Sequence, residues 1–134
     1  MALGKLVTIH QPNYLPWLGF FAKIKQSDCF IILDNVKYTK NSVINRNKIR
    51  IKEGWCYLTI PIEKKYHNSL IKDVRLPENN RWQENHWKTI EMNYTKSEFF
   101  DEYKLFFEEL YSSHWEYLCE INEKIILHLL QCFD

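Results

Sequence analysis

His10-Gln11-Pro12-Asn13-Tyr14 is the chain's richest run of side chains able to do chemistry. An imidazole at His10 can donate to a phosphate or carboxylate, or exchange a proton with a reacting group near neutral pH. Gln11, Asn13 and Tyr14 add amide and phenol groups that can hold a polar substrate. Further on, Asp34-Asn35 closes an apolar run, and its carboxylate suits a ribose or sugar hydroxyl, a metal-bound phosphate or an amine. Asn45-Arg46-Asn47-Lys48-Ile49-Arg50 sets Arg46 and Arg50 at i, i+4, and a guanidinium grips phosphate or carboxylate through paired N–H bonds. These residue types predict His10 and Asp34 as catalytic, with Gln11, Asn13, Tyr14, Asn35, Asn45, Arg46 and Asn47 binding substrate.

Each position also has a plainer use. His10 can be a turn residue while Tyr14, Trp17 and Phe20 fill the core; Asp34 can cap backbone N–H groups at a strand end. Lys48 and Lys52 suit a solvated face better than Arg46, which stands between amides. Gly19 suits close packing or backbone approach. Trp82 and His86 share a helical face, which favours packing against a sheet.

The elements that must position these groups follow from periodicity. Strands are predicted near 5–10, 29–35 and 55–62, the second as a continuous apolar run buried on both faces. A helix of about three turns starts at Pro16, so strand, helix and strand make a parallel βαβ unit. Ligands of open α/β sheets bind outside the carboxyl ends of strands, where His10 and Asp34 would converge. Val36 to Lys52 reads as a polar, basic functional loop, Glu63 to Ser69 as a charged loop, and Ile71 to Leu76 as a short edge strand. Helices are expected over Arg81–Tyr94, Glu98–Tyr111 and Trp115–Cys132, with Ser97 and Ser113 as N-caps. The expected class is therefore α/β: a small, mostly parallel sheet flanked by helices, with a helix-rich C-terminal half, in a single domain over 1–134.

Composition narrows the function classes. With 134 residues, 46% hydrophobic and 26% charged, the chain matches a folded domain rather than a disordered one. A formal net charge of +1 gives no global field for DNA or an anionic membrane. No apolar run reaches about 18 residues, and the apolar N-terminal stretch is too short for a signal peptide, so the expected location is the cytoplasm. The 4 cysteines form no C-x-x-C pair and are expected as reduced core residues. His86, His114 and His128 lack metal spacing, so no metal site is expected. Walker, G-x-S-x-G and G-x-G-x-x-G motifs are missing, and no cofactor is indicated.

The ordered set His10 to Phe21, Cys29 to Val36 and Ile44-Asn45-Arg46-Asn47-Lys48-Ile49 resembles the WbqC-like family of bacteria. The similarity continues through Tyr57 to Ile62, Ile71 to Val74 and Trp87 to Tyr94. That resemblance implies an enzyme of surface-polysaccharide (O-antigen) assembly, with a glycine or amino-acid transferase role. The partners it implies are a nucleotide-sugar or lipid-linked sugar precursor and an activated acyl donor. Relatives continue past the position of Asp134, so the chain is expected to match the N-terminal part of a longer unit, with missing site residues supplied by another copy in a homo-oligomer or by another protein. The strand, His-bearing loop and helix are also loosely similar to nucleotidylyltransferase folds, although Phe20 stands where a second histidine is usual. Two alternatives stay open: an ATP- and Mg²⁺-using adenylate-forming domain, and a non-catalytic binding module built on the aromatic helices.

Overall fold

The computed structural model describes residues 4–133; Met1 to Leu3, which open the stretch read for a leader, and Asp134 lie outside them. The element order is β1 (Val7–His10), α1 (Leu18–Lys25), β2 (Cys29–Ile32), β3 (Arg46–Ile51), β4 (Gly54–Thr59), α2 (Arg81–Tyr94), α3 (Phe100–Ser112) and α4 (Leu118–Cys132). Mixed α/β architecture with a helix-rich C-terminal half is as expected.

β1 and β2 pair in parallel, Val7 opposite Cys29 through His10 opposite Ile32, with α1 as the crossover. The sheet arrangement departs from expectation. β4 joins an antiparallel hairpin with β3, Arg46 opposite Thr59 through Ile51 opposite Gly54, and this is a separate two-stranded sheet. The basic segment read as a loop therefore holds a strand. Arg46, Lys48 and Arg50 alternate with Asn47, Ile49 and Ile51, the period of a half-buried strand. Gly54 closes the hairpin at φ +127°, a backbone conformation that favours glycine.

β2 is covered on one face only. Phe30 packs toward Phe20, Phe21 and Ile126, whereas Cys29 and Ile31 lie exposed beside Val7 and Ile9 on the other face. α1 and α4 both lie on the Phe30 side of this two-stranded sheet, and among the described residues nothing covers its other side. Of the cysteines only Cys119 is buried; Cys56 is half-buried, and Cys29 and Cys132 are exposed, though all are free thiols.

Smaller differences have local causes. α1 starts after Pro16, because Leu15 at φ +44° and Trp17 at ψ 163° are not helical. Ile71–Asp73 forms a 3-10 turn instead of a strand, its N–H groups at Ile71 and Lys72 bonding the carbonyls of Val36 and Asp34 at 2.9 Å. Ser97 and Ser113 do not serve as N-caps: α3 begins after Phe99, and Ser113 instead C-caps it, donating to the Glu109 carbonyl at 2.6 Å. α4 starts at Leu118, where the Glu120 carboxylate accepts from the N–H groups of Glu116 and Tyr117 at 3.0 Å each.

α4 joins the two apolar cores. Leu118, Ile121 and Ile125 enter the larger one with Tyr14, Ile44, Ile60 and Ile71, while Ile126 meets Phe20 and Phe21 in the smaller. This i, i+3, i+7, i+8 stripe is what an amphipathic helix offers a core. Among the described residues no helix is long and apolar enough to cross a membrane.

Candidate functional site

β1 and β2 end side by side, and the Leu33 N–H donates to the His10 carbonyl at 2.8 Å. His10 and Asp34 thus leave the parallel pair at the same carboxyl edge. His10 Nδ1 lies 2.8 Å from the Gln11 carbonyl. A carbonyl only accepts, so Nδ1 carries the proton and Nε2 of the neutral ring keeps its lone pair. The Phe20 ring meets His10 edge-on at 4.9 Å between centroids, fixing the imidazole against α1.

α4 supplies the wall opposite Asp34. Ligand atoms of Asp34, Cys119 and Glu123 all lie within 4.8 Å of one another. Burial first, then the nearby Asp34 and Glu123 carboxylates, push the Cys119 thiol up to about 12. Glu123 is raised by burial and by Asp34 and Glu120. Among the described residues no basic side chain forms an ion pair with Asp34 or Glu123. The cluster is therefore acidic, and it favours a cationic or hydrogen-bond-donating group.

The loop between β1 and α1 is held by amides. Asn122 on α4, fully buried, donates to the carbonyls of Pro12 at 3.0 Å and Ile44 at 2.8 Å. Asn47 donates to the carbonyl of Leu15 at 2.6 Å and of Tyr14 at 3.3 Å, pinning the positive-φ turn at Leu15. Asn45 donates to the Ile60 carbonyl at 2.9 Å. The side-chain oxygens of Asn13, Asn45 and Asn122 are buried acceptors with no donor among the described residues. Tyr14 is fully enclosed, its hydroxyl bonding Tyr111 and, at 2.8 Å, His86 Nδ1. His86 Nε2–H donates to the Thr59 carbonyl at 3.1 Å, so the Tyr14 hydroxyl donates to Nδ1. Burial raises Tyr14 well above the ordinary phenol range and lowers His86 to about 4.

Arg46 stands elsewhere. It lies over the Tyr57 ring at 4.3 Å and lines a cleft of about 490 Å³ with Asn41, Ser42, Val43, Asn47, Lys48 and Tyr57. Lys48 sits 3.8 Å over the Trp55 ring on the same outward face. Guanidinium, ammonium and aromatic faces together suit an anionic group carried on a ring.

The structure thus places His10 and Asp34 at one edge and Arg46 and Asn47 in a neighbouring cleft. Tyr14, Asn13 and Asn45 are inside the protein, Gln11 is half-buried, and Asn35 is exposed. A further cleft of about 460 Å³, lined by Ile49, Ile90, Phe100, Phe107 and Leu129 among others, contains none of the candidate residues and is mainly apolar. Cys119 and Glu123 were not foreseen; their i, i+4 spacing on a helix was the readable signal.

The model of the WbqC-like protein family matches residues 11–134. The chain is 37% identical over 100 residues to the uncharacterized protein Rv1507c of Mycobacterium tuberculosis, an alignment covering 73% of this chain and 42% of that protein. The aligned stretch therefore spans less than half the length of this relative. No solved structure matches it significantly.

Proposed function

The chain belongs to the WbqC-like protein family, and on that premise we propose that it is an acyl or aminoacyl transferase of bacterial surface-polysaccharide (O-antigen) assembly, working in the cytoplasm. The acceptor is an amino sugar on a nucleotide-activated or lipid-linked precursor, and the donor an activated acyl group such as glycyl.

The observation that carries this reading is the His10 imidazole, held with its Nδ1 proton on the Gln11 carbonyl at the sheet edge where Asp34 emerges. The amine nitrogen attacks the acyl carbonyl carbon. A C–N bond forms, the bond from that carbon to the donor's leaving group breaks, His10 Nε2 accepts the amine proton, and that proton passes to the leaving group. The acidic wall favours the amine, and Arg46 with Lys48 receives the precursor's phosphate.

Thermal melting against UDP- and dTDP-linked sugars tests it, because ligands that bind only the folded state raise apparent stability. A shift with the nucleotide sugars that vanishes in Arg46→Ala is the expected result. A shift only with ATP and Mg²⁺ would replace this reading with the adenylate-forming one, and no shift with any of them would favour a binding module.

A further inference from the structure

We propose that Asp34, Cys119 and Glu123 form a site for a single divalent transition-metal ion, with zinc as the best-matched occupant. The proposal rests on their geometry and not on the transferase reading.

Asp34 leaves the end of β2 and meets Cys119 and Glu123 on successive turns of α4. Their ligand atoms lie within 4.8 Å of one another. Bond lengths of about 2.0–2.3 Å in a tetrahedral zinc site put ligand atoms roughly 3.3–3.8 Å apart, so side-chain rotation suffices to close the set. A carboxylate pair alone would be an ordinary acidic surface. The thiol changes that: Cys119 is 94% buried, from its 6% exposure, yet its sulfur faces both carboxylates. Among the described residues it has no hydrogen-bond partner, whereas Cys132 on the same helix donates to the His128 carbonyl at 3.3 Å. Glu120 is committed to backbone N–H groups at the start of α4 and leaves the ligand set to Glu123.

A thiolate with carboxylates selects zinc or a similar ion over magnesium and calcium, which take oxygen ligands. Among the described residues only these ligands converge, so a coordination position stays open, the pattern of a site that binds substrate oxygen or water. Binding displaces the Cys119 proton to solvent as the sulfur–metal bond forms.

The test is titration of the full chain with Co²⁺ alone, read by sulfur-to-cobalt charge-transfer absorption in the near ultraviolet. The expected result is a band saturating at one equivalent, bleached by Zn²⁺ and lost in Cys119→Ser. Glu123→Gln, at a half-buried position, keeps the thiol and weakens binding by at least about 10- to 100-fold. If Cys119→Ser fails to fold, Glu123→Gln and Asp34→Asn decide the question, and unchanged affinity in both overturns the proposal. A band that persists in folded Cys119→Ser, or no band in the parent chain, overturns it as well. None of these readouts requires turnover, so loss of the transferase reading would leave the metal site standing.

Discussion

Burial keeps the His86 imidazole at a pKa of about 4, against an ordinary 6.5. The unfolded chain therefore binds the extra proton first as pH falls, and stability linked to His86 is full above pH 6.5 and lost on descending to about 4. The whole effect is on the order of 3 kcal/mol; melting at pH 7 and pH 5 should show the loss, and His86→Gln should flatten it. At Asn47, removal of the amide leaves the Tyr14 and Leu15 carbonyls short of a donor, so Asn47→Ala should cost about 1–3 kcal/mol in urea unfolding. Residue types alone gave Tyr14, Asn45 and Asn47 a polar reach toward substrate. Their donors go instead to His86 and to backbone carbonyls, partners distant in sequence and so invisible to local pattern. The position of His10 and Asp34 at neighbouring strand ends was legible because each directly follows a short β-prone run.

At the scale of elements, opposite faces of the same unit should respond differently to substitution. Phe20→Ala removes a fully enclosed ring of the smaller core and should cost about 3–5 kcal/mol, while Ile31→Thr on the uncovered face should stay within about 0.5 kcal/mol. Denaturant midpoints of the two variants check this. Gly54→Ala should cost about 1–3 kcal/mol, because alanine resists a φ of +127°. α2 was legible to its ends, since its apolar stripe and polar flanks agree. β3 was not: lysines and arginines on its outer face make the segment look like a loop, and only the inward Ile49 and Ile51 reveal the strand period. The antiparallel hairpin follows from the tight turn at Lys52 and Glu53, which a parallel crossover forbids.

The whole molecule is organised by α4, which packs in both cores, carries Cys119 and Glu123, and through Asn122 holds the His10 loop to the segment before β3. Fold class was readable from the run of elements, but this convergence was not, because Asp34 and α4 are separated by most of the chain. The central claim is that His10 removes the proton from an acceptor amine. Mass spectrometry of a UDP-linked amino sugar incubated with a glycyl thioester and the full chain tests that claim most directly. The account predicts a mass gain of one glycyl group with the parent chain and at least about a 100-fold slower gain with His10→Ala. Equal rates for the two proteins, or no transfer by either, would contradict it.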